Sequence, residues 1–244
     1  MAMYNGITYN ADKYGYPDNG GYDLFNESFE ATGYDLTGWS ATGTIDPDAV
    51  DVTSPDNGGN QCLKLTCAGA ASSVYRSMGS DQLITYTTFY VYVDSHALSS
   101  GSLDYLARGY IASWSGNAWF LKLYNQSGVT KFQFGIYTGS TTSTTVTAAI
   151  NTGTWYRIRI RYDGTNAVYS CSYTPAGGSE IDVASGSLTA TYRAGWAIMF
   201  LGTTEVTTTM TVHYDRIMIG STGFKVDVAG AAASGFMSLN KGWW

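Results

Sequence analysis

Residues 155–164 read WYRIRIRYDG, and two residues later the chain continues AVYSCSYT over 167–174. In the first stretch, large apolar and charged side chains alternate with a period of two, the repeat of an extended chain whose two faces meet different surroundings. Tyr156, Ile158, Ile160 and Tyr162 fall on one face, and Trp155, Arg157, Arg159 and Arg161 on the other. Asp163-Gly164 supplies the residues that a tight connection needs, so the pair reads as a β-hairpin. Three arginines in a row on one face must be solvated or paired; a partner that exploits them would be acidic, with another subunit the foremost candidate.

Outward from this hairpin the texture repeats. Short β-branched and aromatic runs are cut every eight to twelve residues by Gly, Asn, Asp and Ser, the spacing of a β-sandwich or barrel. The candidate strands are LFNESFE (24–30), QCLKLTC (61–67), LITYTTFYVYV (83–93), AWFLKLY (118–124), VTKFQFGIY (129–137), WAIMFLG (196–202) and TTMTVHYDRIMIG (208–220). Gln126-Ser127-Gly128 predicts a second hairpin. In the final strand Met210, Val212 and Tyr214 alternate inward while Ile217 and Ile219 are out of phase, so a bulge is expected near Asp215-Arg216.

Composition points the same way. The 244 residues include 29 Gly, 20 Tyr and 30 Thr, favouring strands and turns and largely excluding helix. The net charge of −6 argues against nucleic acid as the main partner. No apolar run is long enough to insert in a membrane, and MAMYNGITYN (1–10) lacks the charged and apolar regions of a secretion signal. Cys62 and Cys67 lie on opposite faces of one expected strand, too far apart to bridge, and together with Cys171 they read as buried free thiols. His96, expected in a loop, and His213, in a strand, do not complete a zinc set. Asp46, Asp48, Asp51 and Asp56 crowd a turn-rich segment and form one candidate calcium cluster.

FNESFE (25–30), GW (38–39), WYRIRIRYDG (155–164) and HYDRIMIG (213–220), in that order, resemble the concanavalin A-like lectin/glucanase domains, laminin-G-like ones in particular. The resemblance spans about residues 24–220. It implies an all-β fold, an antiparallel β-sandwich jelly roll, and says nothing of the ends, whose Tyr/Asn/Gly/Asp-rich (1–23) and Ala/Gly-rich (221–244) composition reads as an N-terminal arm and a C-terminal assembly tail. It also implies first and last strands lying side by side, where Glu30 and Asp215 are candidate ligands of a structural Ca2+; no other cofactor is expected.

Domains of this group bind glycans, decorate virions, serve in adhesion or cleave polysaccharides. Cleavage is tested residue by residue. The E-x-D-x-E pair of the hydrolases is incomplete, since Glu180 and Asp182 are followed by Ala184. KFQFGIY (131–137) resembles a lyase strand, but the lyases' Q-I-H segment has no match, so a non-enzymatic protein is expected. Glycan binding needs exposed aromatic faces. Trp114, Trp119, Tyr110 and Tyr137 are the candidates, although core packing is the stronger reading of Trp119. The expected role is that of a structural or adhesive subunit of an extracellular assembly or virion, as decoration, fibre or tail protein; the alternative is a carbohydrate-binding module. Assembly is assigned to Phe224, Phe236, Trp243 and Trp244 of the tail and to Arg157, Arg159 and Arg161, with other subunits as partners and surface glycans as candidate ligands.

Overall fold

The computed structural model describes residues 2–4, 7–9, 24–27, 29, 36–50, 61–113, 116–137, 142–189, 195–204 and 209–224. Among them there is no helix, and hence none long and apolar enough to cross a membrane. Seventeen strands run in chain order: β1 (Ala2–Tyr4), β2 (Ile7–Tyr9), β3 (Phe25–Glu27), β4 (Ser40–Thr42), β5 (Thr44–Val50), β6 (Gln61–Ala68), β7 (Ser72–Gln82), β8 (Ile84–His96) and β9 (Leu103–Tyr110). They continue with β10 (Asn117–Gln126), β11 (Val129–Tyr137), β12 (Thr142–Ala149), β13 (Trp155–Asp163), β14 (Val168–Pro175), β15 (Ile181–Ser187), β16 (Trp196–Thr203) and β17 (Thr209–Gly220).

Every strand pairing is antiparallel. β1 and β2 form a small hairpin within the expected N-terminal arm. The other strands make two sheets, a seven-stranded one in the order β12-β11-β10-β9-β16-β7-β4 and an eight-stranded one in the order β15-β14-β13-β8-β17-β6-β5, with β3 also against β17. This is the sandwich expected from the sequence. Its core takes one face of each sheet: Trp119, Leu121 and Leu123 of β10 and Phe132, Phe134 and Ile136 of β11 meet Ile158, Ile160 and Tyr162 of β13 and Phe89, Val91 and Val93 of β8. The period-two reading of β13 holds residue by residue.

β17 carries the expected bulge. Its pairing with β8 shifts between Asp215 and Met218, and Arg216 adopts a left-handed φ of 42°. The extra residue restores the phase, so that Met210, Val212, Tyr214, Ile217 and Ile219 all enter the core. At the same point the neighbour on the other side changes from β6 to β3, and the first and last strands of the sandwich do lie side by side.

All three cysteines are free and buried. Cys67 faces the core, whereas Cys62 belongs to a smaller cluster with Ala49, Tyr90, Tyr92, Trp155 and Met218 on the outer face of the eight-stranded sheet. Trp155 is thus buried on the face opposite the main core. Burial pushes the Cys171 thiol up to about 12. The Ser127-Gly128 hairpin uses left-handed φ values at both residues, 55° and 87°. At the β13–β14 connection the left-handed residue is Ala167, four positions after Asp163, and Asp163 caps the loop by accepting from the backbone and side-chain N–H groups of Asn166.

Candidate functional site

The alternation of β10 that sends Trp119, Leu121 and Leu123 inward leaves Phe120, Lys122 and Tyr124 half-buried on the outer face of the seven-stranded sheet. β9 meets β10 through a bulge: Leu121 pairs with Ala107 but Lys122 pairs with Tyr105, so Leu106 is the inserted residue. The insertion lets Tyr105 and Arg108 share the outer face although their numbers differ by three.

Register then assembles one row across the sheet. Phe120 stands beside Gly135 of β11 on one side and Arg108 of β9 on the other. Arg108 is opposite Phe200 of β16, Phe200 opposite Tyr75 of β7, and Tyr75 opposite Ser40 of β4. From Phe120 to Tyr75 the row crosses three strand spacings, about 14 Å. Gly135 is required where it stands, because a Cβ there would overlap the Phe120 ring.

Cations and rings interleave along the row. The Arg108 guanidinium lies 4.2 Å from the centroids of both Tyr105 and Phe200 and 5.1 Å from that of Tyr110, and Arg108 is only 4% exposed. Lys122 Nζ sits 4.0 Å over Tyr105 and 5.1 Å from Phe120. Tyr75 stacks parallel to Phe200 at 6.4 Å, while Tyr110 meets Phe200 and Tyr105 meets Phe120 edge-on at 5.8 and 5.7 Å. Cation–π contacts of this kind fix ring orientation at little conformational cost. The outcome is a rigid aromatic stripe with half-exposed Tyr75, Tyr105, Tyr110 and Phe120.

Of the residues picked from sequence, Tyr110 belongs to this stripe. Tyr137 sits half-buried at the end of β11, on the same outer face two positions beyond Gly135. Trp119 does not contribute: it is completely buried, packed against Phe89 and Trp196, because position 119 is in phase with the core. Trp114 lies outside the described residues. The residues missed were Tyr75, Tyr105, Arg108, Phe120, Lys122 and Phe200. Their signal in the sequence was the non-core phase of AWFLKLY, which puts Phe120 and Lys122 opposite Trp119.

The opposite face has another character. Glu180 Oε2 lies 2.8 Å from Arg159 and 3.6 Å from Arg157, and Ser172 donates to Glu180 Oε1. Burial pushes the Glu180 carboxyl up, but Ser172 and the two arginines outweigh it and hold it below its usual range. Arg161 pairs with Asp163 at 2.8 Å. Phe224 stands edge-on to Tyr86 at 5.2 Å, with the Arg159 guanidinium 5.3 Å from its ring. Phe224, expected to serve assembly, thus lies against a strand of its own sheet. β17 ends with Gly220 beside Tyr86, and four residues later the chain has folded back onto its own sheet. Phe236, Trp243 and Trp244 lie outside the described residues.

For the expected calcium, Glu30 is outside the described residues. Asp215 is buried at the bulge, its Oδ1 accepting from Arg216 N–H. Glu27, its near neighbour in sequence to Glu30, instead accepts from Trp39 Nε1 and pairs with Arg76 at 3.6 Å. Asp46 is exposed opposite Lys64; the side chain of Asp48, and Asp51 and Asp56, are outside the described residues. Among the described residues no three acidic, Cys or His side chains gather as a metal site. One pairing unforeseen from sequence is Cys62 Sγ at 3.3 Å from His213 Nδ1, both buried. His96 sits at the end of β8, where its Nε2 is 2.9 Å from Thr130 Oγ1.

No protein-family model and no curated protein matches the chain. Solved structures do. The globular domain of T. cruzi calreticulin superimposes with a TM-score of 0.57 at 9% identity, covering 86% of this chain and 91% of that one. The CBM2 module of the evolved Dit of Lactobacillus casei BL23 phage J-1 gives 0.53 at 10% identity, covering 83% and 96%. Lectin I-B4 from Griffonia simplicifolia, in its metal-free form, gives 0.50 at 12%, covering 80% and 98%. Two glycosidases share the fold as well, but the likeness covers only 40% and 38% of their chains. At these identities the fold alone is shown: a concanavalin A-like β-sandwich jelly roll.

Proposed function

We propose that the chain is a non-enzymatic carbohydrate-binding module whose ligand lies along the aromatic stripe of the seven-stranded sheet. The observation that carries this reading is the continuous row Phe120–Arg108–Phe200–Tyr75, flanked by Tyr105, Lys122 and Tyr110. Half-exposed rings offer flat faces to the C–H faces of sugars, and the phenol hydroxyls and Lys122 ammonium supply hydrogen bonds to orient them. A length of about 14 Å suits an oligosaccharide segment better than a single ring. The lectin and CBM2 neighbours support the reading, since they place carbohydrate recognition on the same fold.

The non-enzymatic part rests on the carboxylates. Glu180, the only half of the hydrolase pair present, is tied to two arginines and a serine on the face opposite the stripe. A nucleophile and an acid several ångströms apart flanking one bond are not found along the stripe among the described residues. That the chain works in an extracellular or virion-borne assembly, with other subunits as partners, is proposed from the sequence.

Affinity electrophoresis through gels holding neutral and acidic polysaccharides tests the proposal. Retardation is expected in at least one gel and is lost in a Tyr105→Ala, Phe120→Ala double variant that keeps its circular dichroism. Unhindered migration in every gel, or equal retardation of the variant, rejects it.

A further inference from the structure

The charged groups of the seven-stranded sheet divide by sign. On the outer face Arg108 of β9, Lys122 of β10 and Lys131 of β11 form an oblique line: Arg108 is opposite Phe120, Lys122 lies two positions further along β10, and Lys131 is opposite Tyr124, two positions further again. Each step is a diagonal cross-strand one of about 7–8 Å. Only two carboxylates sit on the strands of this sheet among the described residues, and neither answers the line. Asp104 is completely buried beneath it, accepting from the Tyr105 backbone N–H at 2.7 Å and from the Thr203 hydroxyl. Asp81, near the end of β7, accepts from Ala112 N–H. A chain of net charge −6 therefore sets three cations across its aromatic stripe.

Lys122 stands at the centre of that line. Arg108 is nearly buried and donates to Thr204 Oγ1 at 3.4 Å, and Lys131 Nζ donates to the Gln126 side chain at 2.8 Å. The half-buried Lys122 ammonium touches only the rings of Tyr105 and Phe120 among the described residues. Rings orient a cation without neutralising it. A ligand lying along the stripe covers this ammonium and strips its water. A neutral chain returns no counter-charge for that desolvation, whereas an anionic chain does.

The shape of the site narrows the anion. A uronate carries its planar carboxylate directly on a ring carbon, so the sugar can lie flat on Tyr105 and Phe120 with its charge at the edge, where one point-charge ammonium suffices. A sulfate ester is tetrahedral, stands off the ring and is best held by several donors, and the guanidinium fork of Arg108 that could supply them is buried. Single-stranded nucleic acid also joins flat faces to charge, but its affinity rests on neutralising many phosphates in a row, which three cations, one of them buried, do not provide.

We infer that the stripe is built for an acidic polysaccharide of the uronate type, Lys122 pairing with one ligand carboxylate and Lys131, a diagonal step away, meeting another. This rests on the stripe being the glycan site and names the class of its ligand.

The test measures surface plasmon resonance of the full chain over immobilised polygalacturonate and alginate, each beside its esterified form, so that the members of a pair differ in charge and share a backbone. Dextran sulfate and poly(dT) serve as the other polyanions. At least one polyuronate is expected to bind several-fold more tightly than its ester. Lys122→Gln, with unchanged circular dichroism, should lose roughly tenfold in affinity for that polyuronate, while Lys122→Arg, which keeps the charge, retains most of it. Binding to the esters that equals or exceeds binding to the polyuronates, and that Tyr105→Ala weakens, overturns this inference and leaves the stripe reading standing. So does a Lys122→Gln loss of the same size on polyuronate and ester, or tighter binding to dextran sulfate or poly(dT). Binding that Tyr105→Ala does not touch, or none to any polymer, removes both readings.

Discussion

The two outer faces of the sandwich handle charge in opposite ways. On the eight-stranded sheet, Arg157 and Arg159 are held by Glu180 and Arg161 by Asp163, and Phe224 lies across the neighbouring Tyr86. On the seven-stranded sheet Arg108 and Lys122 lie over aromatic rings. A cation paired with a carboxylate has spent its charge, whereas a cation set over a ring orients that ring and leaves part of it presented to solvent. The first arrangement finishes a surface and the second prepares one. If the proposed function holds, arginine content alone does not mark a binding face, and what the arginines rest against does.

The sharpest break of the comparison comes from the residue beneath the stripe. Trp119 fills the core under Gly109, whose missing Cβ makes room for the indole. Trp119→Ala is expected to cost about 3–5 kcal/mol of stability. In a chain of this size that lowers the Tm by roughly 10–15 °C, read by calorimetry. Tyr105→Ala, one strand away but on the outer face, should cost less than about 1 kcal/mol of stability. Similar Tm losses for the two would mean that Tyr105 is structural and the faces have been misjudged.

Binding should invert that order. Removing the Tyr105 ring takes away a support of both Arg108 and Lys122, and the expected loss is on the order of tenfold in polysaccharide affinity, near 1.4 kcal/mol. Arg159→Ala on the other sheet should leave that affinity unchanged. Calorimetric titration of both variants decides the matter, and an equal loss in both would dissolve the distinction between the faces.

How much of this was legible follows from which interactions are local. The strands of the 155–174 hairpin, β10–β11 and β17 announce themselves because every second side chain is large and apolar, and even the β17 bulge shows as a slip of phase. β7 went unread: SSVYRSMGSDQ sends Val74 into the core and is otherwise held by pairing with β16 and β4, contacts that no sequence window displays. β12, β15 and the Pro47-containing β5 were missed for the same reason. Tyr110 was found, but the stripe joins residues 75, 105, 108, 120 and 200, and only register across four strands assembles them. The charge pairs split likewise, Arg161 with Asp163 being local and Arg159 with Glu180 depending on how β14 and β15 meet.

Acid should act next, and more through the core margin than through either face. Burial holds both His213 and His96 below the usual histidine value, with Lys64 adding to the effect at His213 and Asp94 and Asp46 opposing it. An unfolded chain takes up protons at these histidines as pH falls below about 6.5, while the folded chain resists. Stability is therefore flat above that value and declines below it. Urea denaturation at pH 7.5 and 5.5 should show a lower midpoint at the lower pH, with the difference reduced in His213→Gln. An unchanged difference would mean that His213 is protonated in the folded state beside Cys62.

The smallest expected effect belongs to Glu180, and it sharpens what a finished surface is worth. Its carboxylate is 36% exposed, so solvent screens its contacts with Arg157 and Arg159, and Glu180→Gln should cost only about 0.5–1 kcal/mol at neutral pH. The folded carboxyl titrates below its usual range, so the contribution is complete above the unfolded value near 4.3 and disappears as pH falls through the lower folded value. Wild type and Glu180→Gln should accordingly converge in stability at the acid end, while glycan affinity on the opposite sheet stays equal throughout. A stability gap that widened in acid would show that the amide disturbs the β14–β15 corner for reasons other than charge. A change in polysaccharide affinity would show that the two faces are coupled through the core, and the contrast between a finished and a prepared surface would no longer describe this molecule.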